Sequence, residues 1–247
     1  MNIKTAKIVI VMPAYNAEKT VRVTFNEISP SLRKNIILVD DNSNDNTVKV
    51  ASKLGIKVFK HPNNLGYGGN QKTCYWEALK LKPDVVVMLH PDYQYDATRI
   101  EDLINPILKG QFDFMFGSRI ANKTGALLGG MPPIKYYVNR IVCFIQNILL
   151  GVNFTEHFSG LRAFSGKLLR KVPFQRFSND FVFDQEMTVS SISYGFRIGE
   201  ISIPTRYHHE ASSIKYLKGI KFILEGFWTI LFFHFNRVGL IRDRRFA

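Results

Sequence analysis

Cysteine is scarce in this chain: two among 247 residues, Cys74 and Cys143. Far apart and without partners at metal-ligand spacing, they exclude a disulfide framework and a zinc finger, and they suit a reducing, cytosolic setting. Long hydrophobic runs are missing too. A membrane-crossing helix needs roughly 18 or more consecutive apolar residues, and the densest stretch here, Phe222 to Phe235, is interrupted by Glu225 and His234. At the amino terminus the apolar run Ile8 to Met12 is cut by Pro13, too early for the core of a secretory signal. There is no internal repeat and no low-complexity segment.

Acidic residues are scarce in two stretches of the second half. Residues 1 to 118 hold fifteen Lys and Arg against twelve Asp and Glu, but Arg119 to Arg176 has nine bases and a single acid, Glu156, and residues 201 to 247 have eight bases against three acids. The net charge of +13 therefore lies mostly in the second half. Such an excess attracts nucleic acid, anionic lipid headgroups or phosphorylated substrates alike. The bases alternate with long apolar stretches, and no nucleic-acid-binding module or zinc-finger spacing accompanies them, so a membrane surface is favoured and nucleic acid is not.

What the chain does have is a 46% hydrophobic content, enough to bury a full core, and a regular alternation of elements. Strand-like runs at Lys7 to Met12, Asn35 to Val39, Lys57 to Lys60, Asp84 to Leu89 and Phe112 to Gly117 are separated by helical patterns. One repeats Val21, Phe25 and Ile28; another covers Thr47 to Leu54, with Asp45 as its cap and Gly55 as its stop; others cover Gln71 to Leu81 and Thr98 to Leu108. This predicts an α/β fold with a mainly parallel sheet covered by helices on both faces. After a break at Gly129-Gly-Met-Pro-Pro133, the residues Ile134, Val138, Ile141, Val142, Ile145 and Leu149 recur at helical spacing. They describe an amphipathic helix, either packed on the sheet or lying at a bilayer interface.

Four strand-like runs end in polar groups: Val11-Met-Pro-Ala-Tyr-Asn16, Ile37-Leu-Val-Asp-Asp41, the loop Asn63-Asn-Leu-Gly-Tyr-Gly-Gly69, and Val87-Met-Leu-His-Pro-Asp-Tyr-Gln-Tyr95. Ligands of open α/β sheets sit beyond the carboxyl ends of the strands, so these groups are expected to converge on one pocket for a nucleotide-activated substrate. Asp92 and Gln94 are hard oxygen ligands suited to Mg2+ or Mn2+. Each short run also has a bland explanation: Pro13 as a strand stop, Asp41-Asn-Ser as a turn, the glycines as permissive backbone.

These signatures, with Gly117-Ser-Arg119, Ser159-Gly-Leu-Arg162 and Ile203-Pro204, resemble the inverting family 2 glycosyltransferases of the GT-A fold, and among them the polyprenyl-phosphate sugar synthases. The resemblance runs from about Lys7 to Tyr207. It implies a Rossmann-like GT-A sheet followed by C-terminal amphipathic helices. Residues 1–118 would form the nucleotide-sugar-binding half, 119–213 the acceptor-binding half of the same domain, and 214–247 a membrane-facing helical segment.

By this resemblance Pro13, Tyr15 and Asn16 line the base and ribose site and Asp40 bonds the nucleobase, with Asp41 and the loop glycines Gly66, Gly68 and Gly69 nearby. Lys215, in a loop after His208-His-Glu210, reaches the donor diphosphate, and Arg119 and Arg162 lie near phosphates of donor or acceptor. The family commonly has Asp-x-Asp where this chain has His90-Pro-Asp92. His90 is then open to three readings: a ligand for a softer metal, a contact to phosphate, or a spacer.

If the acceptor is a sugar hydroxyl, Asp184 or Glu186 serves as general base; if it is a lipid phosphate, no base is needed and the carboxylate positions acceptor or metal. The expected activity is hexose transfer from a nucleoside diphosphate sugar to a polyprenyl (dolichyl or undecaprenyl) phosphate, assisted by a divalent cation. The protein would sit peripherally on the cytoplasmic face of a membrane, with oligomerisation open. Transfer to a glycan or glycolipid hydroxyl, and a sugar-nucleotide-binding protein that has lost turnover, are the alternatives.

Overall fold

The computed structural model describes residue 3, residues 5 to 204, residue 206 and residues 216 to 247, with backbone alone at 216 and 217. Its strands are β1 (Ile8–Ala14), β2 (Ile36–Asp40), β3 (Lys57–Lys60), β4 (Val85–Met88), β5 (Phe114–Ser118), β6 (Arg162–Ser165) and β7 (Ile198–Ser202). They form one sheet in the order β3-β2-β1-β4-β6-β5-β7. Neighbours are parallel except around β6, which runs antiparallel to both β4 and β5.

β1 and β4 are apolar at every position, and β2 at all but its last, because both of their faces are covered. Side chains alternate across a strand. Ile8, Ile10 and Met12 of β1, Ile36 and Leu38 of β2, and Val85 and Val87 of β4 enter one core; Val9, Val11, Ile37, Val39, Val86 and Met88 enter the other. Each such side chain contributes about 1.5–3 kcal/mol on burial.

The helices are α1 (Val21–Glu27), α2 (Thr47–Lys53), α3 (Tyr67–Lys80), α4 (Ile100–Leu108), α5 (Lys123–Leu128), α6 (Pro133–Leu150), α7 (Gly166–Lys171), α8 (Phe183–Ser193) and α9 (Tyr216–Arg237). Residues of α1, α2 and α4 fill the first core, and residues of α3, α7 and α8 the second.

Several expectations are corrected. β1 does not stop at Pro13 but continues to Ala14, in parallel register with Val39 and Asp40. Asp45 is not the cap of α2: Asn46 holds that position, and Asp45 Oδ1 accepts the Thr47 N–H from one residue earlier, at 2.9 Å. α3 begins at Tyr67 rather than Gln71, so the glycine-rich loop supplies its first turn.

The amphipathic helix α6 turns its regular apolar stripe outward. Ile134, Val138, Ile141, Ile145 and Leu149 are exposed, with Phe144 and Ile148 beside them, while Tyr136, Val142, Cys143, Gln146 and Leu150 face the protein. Helix α9 packs against both α6 and α8 and adds exposed Ile220, Leu224, Trp228 and Leu231. Among the described residues no helix is long and apolar enough to cross a membrane.

Candidate active site

Because β1, β2 and β4 are parallel, their carboxyl ends open on one edge of the sheet. Pro13 is buried within β1, and Tyr15 stands exposed at its mouth. Asn16 adopts a left-handed φ of 51°. Its N–H donates to Ser43 Oγ at 2.8 Å and its Oδ1 accepts the Asn44 N–H at 3.0 Å, which stitches the turn after β1 to the turn after β2. Asp40 closes β2 and is fully buried. Its Oδ2 accepts the Ser43 N–H at 3.0 Å, but Oδ1 has no hydrogen-bond partner among the described residues. A buried acceptor left unpaired costs about 1–3 kcal/mol, which a ligand N–H placed there would offset.

Asp41 and the glycine loop, grouped with the donor site by resemblance, are engaged within the protein instead. Asp41 Oδ1 accepts the Leu65 N–H at 2.8 Å and meets His61 Nδ1 at 2.8 Å, and Oδ2 accepts the Gly66 N–H at 3.0 Å. The N–H groups of Gly68 and Gly69 point at the Asn179 carbonyl, at 2.8 and 3.4 Å. Backbone donors used this way do not cradle phosphate. Steric fit accounts for the glycines: a Cβ on Gly68 would lie 2.4 Å from the Ser178 carbonyl oxygen, and Gly66 has a φ of +84° with Asn179 O at 2.8 Å from its would-be Cβ. The loop therefore serves to start α3 and to place Tyr67.

Tyr67 carries no sequence signal of its own among the loop glycines, yet its hydroxyl is where three elements meet. It donates to Asp184 Oδ2 on α8 at 2.7 Å and lies 3.2 Å from His90 Nε2, beyond β4. Gln71 Nε2 donates to the other oxygen, Asp184 Oδ1, at 3.2 Å. Burial, with Asp184 close by, lifts the Tyr67 phenol well above its usual pKa of 10. Burial lowers the His90 imidazole below 6.5, against the pull of Asp92 and Asp184, so the ring is neutral at pH 7. Asp92 and Gln94 are both buried at the turn after β4, where Asp92 Oδ1 accepts the Gln94 N–H at 3.1 Å.

Both arginines expected near phosphates are enclosed. Arg162, 2% exposed, donates to the carbonyls of Ser159, Asp184 and His157 and to the Thr188 hydroxyl, at 2.7 to 3.2 Å. This guanidinium is a strut between β6 and α8 and is not presented to a ligand. Arg119 is held by Glu156, the only acid of the basic stretch, through its backbone N–H at 2.6 Å and its Nε at 2.7 Å. Glu186 points away from Asp184: its Oε2 accepts the Ser178 N–H at 2.6 Å and its Oε1 meets Arg245 at 2.5 Å. Burial raises the Glu186 pKa above 4.5 despite these partners. Sequence reasoning missed Gln71, Glu156 and Arg245 because each acts through a partner more than thirty residues away. Lys215, His208 and His209 lie outside the described residues.

Among the described residues no group of three or more His, Cys, Asp or Glu side chains stands ready to hold a metal. One carboxylate, Asp92, with the Gln94 amide beside it, fits a hard cation that takes most of its remaining ligands from substrate phosphates and water.

Residues 9–172 match the family model described as Glycosyl transferase family 2. A UDP-N-acetylglucosamine--dolichyl-phosphate N-acetylglucosaminyltransferase of Methanococcus voltae is 31% identical over 217 residues, covering 81% of this chain and 86% of that protein. An uncharacterized protein of Methanocaldococcus jannaschii is 32% identical over 201 residues, covering 81% and 82%. Among solved structures, glucosyl-3-phosphoglycerate synthase from Mycobacterium tuberculosis, in complex with Mn2+, UDP and phosphoglyceric acid, superposes with a TM-score of 0.69 over 97% of this chain and 81% of its own. At 18% identity that likeness is one of fold.

Proposed function

This chain belongs to glycosyl transferase family 2 and is a glycosyltransferase of the GT-A fold, and from that premise we propose that it transfers a hexose, with inversion, from a nucleoside diphosphate sugar to a polyprenyl phosphate at a membrane surface. The observation that carries the acceptor is the state of Asp184. Both of its oxygens already accept hydrogen bonds, from Tyr67 and Gln71, and Arg162 Nε stands 3.8 Å away. A carboxylate so occupied is a poor general base. A sugar hydroxyl needs one, whereas a phosphate arrives already ionised and attacks without losing a proton.

For the donor, the unpaired Asp40 Oδ1 suits a nucleobase N–H, and Asn16 and Tyr15 stand at the next strand end. Asp92 and Gln94 would hold Mg2+ or Mn2+, which when bound neutralises charge on the departing nucleoside diphosphate. The dolichyl-phosphate relative and the Mn2+- and UDP-bound fold neighbour support the same reading. Peripheral attachment fits the outward apolar face of α6 and α9, which is flanked by exposed Arg140, Lys218 and Arg237.

The test is a screen of UDP-, GDP- and dTDP-sugars with a short polyprenyl phosphate and either cation, reading released nucleotide and extractable lipid-linked sugar. Lipid-linked product bears the proposal out. Nucleotide release that depends on a sugar-hydroxyl acceptor overturns the phosphate-acceptor reading, and silence across the panel counts against turnover altogether.

A further inference from the structure

A phenol has one proton to give. Tyr67 gives it to Asp184 Oδ2, 2.7 Å away, so the 3.2 Å contact between its oxygen and His90 Nε2 runs the other way, with Nε2–H donating to the phenol. The imidazole is held on its flanks as well. It stacks on the Tyr67 ring, with centroids 5.5 Å apart and planes 21° from parallel. On another side it abuts Gly160, where a Cβ would come within 3.0 Å of Nε2. Tyr67 itself packs on Phe181, just ahead of α8, with centroids 4.7 Å apart. The result is a directed chain, His90 to Tyr67 to Asp184, joining the turn that carries Asp92 to the first turn of α8.

We propose that Tyr67 is a positioning residue for sugar transfer: its hydroxyl fixes the turn bearing Asp92 against α8, and in doing so it holds the His90 ring through Nε2–H. The histidine that replaces a carboxylate in this motif then has a physical reason. An aspartate at 90 would bring a second acceptor to a phenol whose only proton is already given to Asp184, whereas an imidazole N–H supplies the donor the phenol oxygen needs. The assignment rests on the glycosyltransferase reading of this site, but not on which acceptor the enzyme uses, because released nucleotide reports turnover with any acceptor.

The experiment compares wild type, Tyr67→Phe, His90→Gln, His90→Leu and the Tyr67→Phe/His90→Leu double variant by nucleotide release, by Mn2+ affinity in the presence of UDP read by electron paramagnetic resonance, and by thermal melting. Tyr67→Phe keeps the ring and both stacks and removes one oxygen. Small displacements at a reacting centre cost up to about a hundredfold, so kcat is expected to fall roughly 10- to 100-fold with donor KM and Mn2+ affinity within about twofold. His90→Gln retains an N–H near the position of Nε2 and should keep most of the rate. His90→Leu should fall as far as Tyr67→Phe, and the two losses should not add, as expected for members of one chain.

A Tyr67→Phe enzyme at wild-type kcat overturns the positioning role. A His90→Leu enzyme at wild-type kcat overturns the histidine's half of the proposal, because the contact to the phenol would then position nothing. A wild-type protein that neither releases nucleotide nor binds Mn2+ with UDP overturns the sugar-transfer reading together with this one.

Discussion

At the scale of single residues, the chain places charged groups in its interior and engages most of them with named partners, so a buried carboxylate oxygen without one among the described residues is informative. Asp40 Oδ1 is that oxygen. Asp40→Asn can keep the bond to the Ser43 N–H but presents an amide donor where a nucleobase N–H would have to be accepted. Nucleotide affinity measured by calorimetry is expected to drop about 10- to 100-fold, the scale of leaving paired polar groups mismatched, with the melting temperature nearly unchanged. Glu156 is the opposite case. It is fully buried and accepts from the Arg119 backbone N–H, Nε and Nη2. Glu156→Gln leaves a buried guanidinium without its counter-charge and is expected to destabilise by about 3–5 kcal/mol, measured by urea unfolding. The lone acid in a basic stretch was visible in the sequence, but its meaning was not, because the partner lies 37 positions away.

At the scale of elements, α6 shows how a correct periodicity leaves a question open. The 3.6-residue repeat identifies the helix and its apolar stripe, and the structure then packs the other side. Tyr136, Cys143 and Gln146 go inward, and Ile141 and Phe144 remain at 60% and 65% exposure. An outward apolar stripe with cations around it is the arrangement for an anionic bilayer. The double substitution Ile141→Glu with Phe144→Glu is expected to reduce co-sedimentation with vesicles containing anionic lipid by at least about tenfold, since roughly 0.8 kcal/mol per buried CH2 is withdrawn, while unfolding stability stays within about 0.5 kcal/mol. Unchanged vesicle binding would move this face to some other use. β6 is the element that the sequence did not announce as a strand. Arg162–Ser165 is four residues long and reads as a motif, and only its antiparallel insertion between β4 and β5 gives it partners.

At the scale of the whole molecule, pH acts through groups that the fold buries. His157, beneath the α6 side of the structure, donates Nε2–H to Asn147 Oδ1 at 2.9 Å, and burial together with the Arg162 charge brings its pKa from 6.5 to about 4. The unfolded chain therefore binds the proton that the folded chain refuses between those values, so stability rises with pH from about 4 to 6.5 and is flat above. The contribution is of order 3 kcal/mol. Glu186 and Glu200, whose pKa values burial raises, act in the opposite sense, losing stability as pH climbs above 4.5. A comparison of wild type with His157→Gln isolates the histidine: the variant's unfolding free energy is expected to rise less, or fall, between pH 4 and 6.5, and an identical slope would refute the assignment. The amino-acid sequence by itself determined the alternating α/β architecture, the family and the strand ends where polar groups gather, because periodicity and local turn chemistry are written in neighbouring residues. Tertiary structure alone decided which of those groups face a ligand and which brace the fold. Asp41, Arg119, Arg162 and Glu186 are occupied by partners brought from distant segments, and Tyr67 gained its place because α3, the β4 turn and α8 meet at one hydroxyl.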